Sequence, residues 1–93
     1  MKTYLIGYDL NKSGQDYKEL IDKIKSTFTY WWHHLDSTWI VKSNLTAVQI
    51  RDLLIPYIDS NDELLVVSLT GESAWEGFND AGSKWLKSNI VPS

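Results

Sequence analysis

The chain has no cysteine, only two prolines and one methionine in 93 residues. Without thiols it has no disulfide and no thiolate metal site, and a reducing cytoplasm is the expected compartment. No apolar run approaches the roughly 20 residues that a membrane helix needs, so no membrane partner is expected. The first residues carry one Lys and then a strand pattern, with neither the apolar stretch nor the cleavage motif of a secretory signal. Glycine is sparse too. There is no Gly-rich loop with a Lys to cradle phosphate, and Gly71-Glu72-Ser73-Ala74-Trp75 lacks the second glycine of a nucleophile elbow. His33 and His34 are the only histidines. Adjacent in a strand pattern, they point to opposite faces and cannot both ligate one metal, although either could act alone as an acid or base. Asp59-Ser60-Asn61-Asp62 lacks the Gly and the final Glu of a Ca²⁺ loop and reads as a turn.

What is present is apolar and aromatic. Hydrophobic residues make up 43% of the chain, with five Trp and five Tyr, which fits one packed domain over residues 1–93. Net charge is −3, which argues against broad, non-specific binding of nucleic acid. The charge is unevenly spread: residues 1–42 hold six Lys against five acids, residues 43–93 three basic residues against seven. Lys18, Lys23 and Lys25 lie among acids on what reads as the wet side of a helix.

Residues 3–10 form the first strand pattern, with Tyr4, Ile6, Tyr8 and Leu10 on one face and Leu5, Gly7 and Asp9 on the other. From Asp16 to about Phe28, Tyr17, Leu20, Ile21, Ile24 and Phe28 recur at helical spacing. The aromatic and β-branched run that follows predicts strands over about 30–35 and 38–42, joined by a tight turn at Asp36-Ser37. Thr46 with Gln49 is a capping-box pattern that opens a second helix, and Pro56 ends it. "ELLVVSLT" (63–70) is the last strand, apolar on both faces. Trp75, Phe78, Gly82, Trp85 and Leu86 predict a third helix from Ser73 to about Ser88, weakened by Gly77 and Gly82.

This order is an α+β, ferredoxin-like βαββαβ arrangement: an antiparallel sheet with two helices on one face and an extra C-terminal helix. Tyr4, Ile6, Tyr8, Leu20, Ile24, Leu53 and Val66 are expected to share its core. The first and last strands are apolar on both faces, so the second face needs a cover, either the C-terminal helix or another subunit.

Asp9 ends an otherwise apolar strand. A carboxylate there either accepts hydrogen bonds from the following turn or holds a cation. Mg²⁺ and Mn²⁺ need several oxygen ligands, and no second acid is near Asp9 in sequence. A two-fold dimer would bring two copies of Asp9 together on one metal, which a nuclease could use to polarise phosphate and activate water. Ser37, at the hairpin, is a second candidate, to orient a phosphate or a water. Trp31, Trp32 and Trp39 read as core or subunit interface, with base stacking as the alternative.

With "YLIGYDLN", "WWHHLDSTWIVKSNLT" and "DELLVVSL" in this order, residues 3–70 resemble the small CRISPR-associated ferredoxin-like protein that partners the spacer integrase, and its VapD-like toxin relatives. The small bacterial group labelled SinR-like is similar too, although nothing in the chain reads as a helix-turn-helix repressor. The resemblance implies a homodimer, a metal (Mg²⁺ or Mn²⁺) held between paired copies of Asp9, and endonuclease activity or a structural role on RNA or DNA. The chain departs from that pattern in its helical tail, where the family has a fifth strand, and in its acidic balance. The expected function is therefore a metal-dependent nuclease with Asp9 and Ser37 in its site. The alternatives are a non-catalytic dimeric module that binds nucleic acid or protein, and a toxin–antitoxin component without chemistry of its own.

Overall fold

The computed structural model describes residues 1–11 and 17–90. The elements run β1 (Lys2–Asp9), α1 (Lys18–Thr27), β2 (Tyr30–Leu35), β3 (Thr38–Ser43), α2 (Ala47–Leu54), β4 (Glu63–Ser68) and α3 (Asp80–Asn89). The four strands form one antiparallel sheet in the order β2-β3-β1-β4, the ferredoxin-like βαββαβ topology with a third helix appended.

Period-two alternation in β1 decides what each face of the sheet does. Tyr4, Ile6 and Tyr8 point to α1 and α2, where Tyr4 and Ile6 join Trp39 and Val41 of β3, Leu20 and Ile24 of α1, and Ile50 and Leu54 of α2 in one buried cluster. Tyr8, Leu53 and Val66 pack against it half-buried, so the expected core residues do share one cluster. Tyr4 also ties the core to the loop before α2, its hydroxyl donating to the Leu45 carbonyl at 2.8 Å.

The other face has its own smaller core. Trp32, Ile40 and Leu86 are buried there, with Leu69, Trp75, Phe78, Trp85 and Ile90 against them. Of the two covers open from the sequence, α3 is thus one in fact. The helix is shorter than its spacing predicts. Trp75 and Phe78 lie in the irregular segment before it, because Gly77 takes a left-handed φ of 91° and Asn79 caps the first turn, accepting from the Gly82 N–H at 2.8 Å. Gly82 itself is a point of close approach. A Cβ there would lie 3.1 Å from the His34 ring, while the Gly82 carbonyl accepts from the Trp32 indole N–H at 3.3 Å. At the far end the Thr3 hydroxyl donates to the Asn89 carbonyl at 2.9 Å. The helix therefore crosses from β2 to the start of β1 and leaves Leu65 and Val67 of β4 uncovered, 60% and 41% exposed.

Helix α1 starts at Lys18, preceded by Tyr17 in a left-handed conformation (φ 51°), and the expected start at Asp16 lies outside the described residues. Helix α2 ends at Leu54 and passes into a 3₁₀ turn at Ile55–Tyr57 that places Pro56 where its missing N–H does no harm. No helix among the described residues is long and apolar enough to cross a membrane.

The capping box of α2 is fully formed: Thr46 Oγ1 accepts from the Gln49 N–H at 3.1 Å and Gln49 Oε1 from the Thr46 N–H at 2.8 Å. Thr46→Ala removes the first of these, and urea denaturation should show a loss of about 1 kcal/mol with an unchanged m-value.

Candidate functional site

Antiparallel pairing sets the C-terminal end of β1 against the N-terminal end of β4. The register runs Tyr8↔Leu64 and then Asp9↔Glu63. Two carboxylates that are 54 residues apart in the chain thereby stand directly opposite each other, on the sheet face not covered by α1 and α2. Side chains of directly opposed residues stand about 5 Å apart at Cβ, and like charges in that position are destabilising by a few tenths of a kcal/mol. No Lys or Arg ion-pairs with either acid among the described residues. Both side chains are exposed.

The pair lies in an open cleft of about 390 Å³ lined by Gly7, Tyr8, Asp9, Glu63, Leu64 and Leu65. Gly7 keeps its floor bare. A Cβ at that position would meet only Leu5 Cδ2, at 3.5 Å, so the fold itself does not demand a glycine.

The turn next to this end is tied down by Asp62. Its Oδ1 accepts from the Asn11 N–H at 2.7 Å and the Tyr17 hydroxyl at 3.1 Å, and its Oδ2 from the Asp59 N–H at 2.7 Å. Asn11 Nδ2 adds a bond to the Asn61 carbonyl at 2.8 Å. The segment 59–62 is a turn, as its sequence implies, and its work is to fasten the start of β4 to the end of β1. The fastening lies next to the Asp9–Glu63 pair.

Ser37 comes to the same end of the sheet. Its carbonyl accepts from the Tyr8 N–H at 3.1 Å, one residue before Asp9. Thr38 stands opposite Gly7, so Ser37 follows opposite Tyr8 and, by alternation, belongs with the other face from Asp9. It is exposed at the hairpin tip beside the acids, not between them.

Behind Ser37 is a polar cluster that sequence reasoning missed. The Trp39 indole N–H donates to the Tyr8 hydroxyl at 2.9 Å, and that hydroxyl lies 3.4 Å from the Asp36 carbonyl. His33 stacks on Trp39 with ring centroids 3.7 Å apart and approaches the same carbonyl through Nε2 at 3.2 Å. For that carbonyl to accept, Nε2 must carry the proton, which leaves Nδ1 as the basic nitrogen. His34 lies on the opposite face near Trp32 and Phe78, so the two histidines diverge as adjacent strand residues must.

Glu63 was equally absent from the candidates. The signal for it was available: an acid closing the first strand ("YD") and an acid opening the last ("DE") become neighbours if those strands pair antiparallel. Among the described residues no group of three or more His, Asp and Glu comes together to hold a metal, so Asp9 and Glu63 offer two carboxylates only. No family model matches the chain, and no solved structure matches it.

The Tyr8 phenol is pushed above its ordinary pKa, chiefly by burial and also by the nearby Asp36 charge, with the Trp39 hydrogen bond pulling the other way. The unfolded chain then loses this proton at lower pH than the folded one. Stability from this group is intact below pH about 10 and falls as pH rises from there through the folded value. Tyr8→Phe should remove that alkaline slope. It should also cost about 1–3 kcal/mol at neutral pH, because the buried Trp39 N–H loses its acceptor. Urea titrations of both proteins from neutral to alkaline pH check the two effects together.

Proposed function

We propose that the chain is a divalent-metal-dependent nuclease of the CRISPR-associated/VapD-like ferredoxin-fold type, acting as a homodimer, with Asp9 and Glu63 as its metal ligands. The observation that carries this reading is the Asp9–Glu63 pair: two exposed, directly opposed carboxylates at an open cleft, with no Lys or Arg ion-paired to either among the described residues. Such a pair works against the sheet unless a cation joins it. It also suits a particular kind of cation. Mg²⁺ keeps most of its water and is held by one or two carboxylates together with substrate phosphate.

Here the second carboxylate comes from the same chain, so the metal does not depend on a partner's Asp9. Bound there, Mg²⁺ or Mn²⁺ would supply Lewis acidity toward a phosphate oxygen and a lowered pKa for its water. Asp9 and Glu63 hold the cation and bare Gly7 leaves the cleft floor open to a phosphodiester, while Ser37, on the other face at the adjacent hairpin, does not line the cleft. With an acidic balance, attraction of a phosphodiester falls to the metal.

The second reading is a non-catalytic dimeric module that binds nucleic acid or protein. It is favoured by Tyr30 and Trp31, exposed on β2 with Lys25 Nζ 5.4 Å from the Trp31 ring centroid, the mixture of aromatic and cation used to stack bases.

Thermal unfolding and cleavage, measured on one preparation, test the first reading. At Mn²⁺ concentrations about ten times its dissociation constant, wild type should gain about 1.4 kcal/mol. Asp9→Asn and Glu63→Gln should lose that gain while matching or slightly exceeding wild type without metal, since either removes the like-charge contact. Cleavage of RNA or DNA should fall by more than about 100-fold in both variants, because even outer-shell changes at metal sites cost 10–100-fold. Wild type that is inert with Mg²⁺ and Mn²⁺ on single- and double-stranded substrates contradicts the nuclease reading and gives first place to the binding module.

A further inference from the structure

The two edges of the sheet are built differently. Strand β2 is irregular, with a register shift between Trp32 and Leu35, and its flank is met by α3. Strand β4 pairs with β1 without a shift from Glu63 to Ser68, and its sequence, Glu-Leu-Leu-Val-Val-Ser, has no Lys, no Pro and no bulge. Lys, Pro and bulges are among the devices by which sheet proteins block pairing at an edge, and the one such device on β4 is the charge of Glu63 at its first position.

The direction of its free backbone groups follows from one bond. The Leu69 N–H donates to the Thr3 carbonyl at 2.9 Å, continuing the β1–β4 register, so Thr3 and Leu69 form a hydrogen-bonded pair. Hydrogen-bonded and non-hydrogen-bonded pairs alternate in an antiparallel ladder. Val67, Leu65 and Glu63 therefore turn their N–H and C=O groups toward β1. Leu64, Val66 and Ser68 turn theirs outward, away from the sheet.

From these facts, the geometry points to a second copy of this chain as the occupant of the β4 edge, pairing antiparallel about a two-fold axis at Val66 to make one continuous eight-stranded sheet. In this register Val66 exchanges backbone bonds with the partner's Val66, and Leu64 with the partner's Ser68, which uses every outward group of the strand. Faces match, because opposed residues share parity. Leu65 falls opposite the partner's Val67 in the close, non-hydrogen-bonded position, so the two exposed apolar side chains of the strand cover each other twice. Glu63 of each copy lies at opposite ends of the junction, so the only charge on the strand meets no like charge. Beside the edge, a groove of about 250 Å³ between α2 and β4 presents Val48, 55% exposed, with Arg51 at its rim. The two-fold sets the same groove of the other copy on the same side of the sheet, and the apolar surface continues across the junction.

This inference deepens the homodimer part of the proposed function and is independent of the metal part. The axis at Val66 is three residues along the strand from Glu63, so the two Asp9–Glu63 ends point away from each other, and Leu64 and Leu65 are the cleft residues that the junction shares. Sedimentation reports the dimer and cleavage reports the metal site, so failure of one is distinguishable from failure of the other.

Sedimentation equilibrium at protein concentrations up to about 100 µM should show a monomer–dimer equilibrium for wild type, as befits an interface at the small end of the specific range. Leu65→Lys changes a side chain that is mostly exposed in the monomer and should raise the dissociation constant by more than about tenfold, the substitution counting twice across the axis. Ser68→Pro removes an outward N–H that no neighbour among the described residues uses, and should do the same. Far-UV circular dichroism should show both variants folded. The double substitution Leu65→Lys with Val67→Glu sets opposite charges against each other only in the register centred on Val66, and it should restore the dimer. A wild type that stays monomeric to that concentration overturns the inference, as does a folded Leu65→Lys that dimerises like wild type. Failure of the double substitution to restore association overturns the register.

Discussion

Ile6 stands opposite Trp39 on one neighbouring strand and Val66 on the other, with no exposed surface, under the helices α1 and α2. The placement of this residue fixes the register of the whole sheet. A slip of one residue in β1 would turn Tyr4, Ile6 and Tyr8 away from the helices and put Leu5, Gly7 and Asp9 in their place, which would bury a carboxylate. The apolar core thus determines where the charged end of the strand goes. Asp9 opposes Glu63 because Ile6 opposes Val66, three residues back along the same ladder.

The same register accounts for the asymmetry of the second face. Helix α3 needs Gly82 to approach His34, and it spends Leu86 and Ile90, together with Trp75, Phe78 and Trp85, on Trp32 and Ile40. Its last turn reaches Thr3. A helix of ten residues spans about 15 Å, roughly three strand spacings, and a diagonal crossing uses all of it. The β4 side is left bare. Leu65 and Val67 are apolar and yet exposed because the chain's own cover does not extend to them.

The element order, the helix-facing side of β1, the hairpin at Asp36-Ser37 and the capping box at Thr46 were legible in the sequence, because each is a local pattern: alternation, helical spacing, or a polar pair three residues apart. The length of α3 was not. Trp75 and Phe78 recur at helical spacing with Trp85 and Leu86, but they are spaced to meet the sheet from a loop, and periodicity alone does not separate the two. Asp9 stood out as an acid ending an apolar run. Its partner Glu63 did not, since opposition of the two is a property of strand pairing and not of either segment. For the same reason the network of Tyr8, Trp39, His33 and the Asp36 carbonyl appears only once β1, β2 and β3 are side by side.

The central claim is that registering β1 against β4 makes a cation site from Asp9 and Glu63. Titrating Mn²⁺ into isotope-labelled protein and following paramagnetic broadening of amide resonances addresses it without assuming any substrate. At substoichiometric metal the resonances of Gly7, Asp9, Glu63 and Leu65 should broaden first, while those near the acids of the segment before α3, Glu72 and Glu76, and of its first turn, Asp80, stay sharp. Broadening spread evenly over all the acidic positions, or centred on 72–80 with Asp9 and Glu63 untouched, would contradict the account.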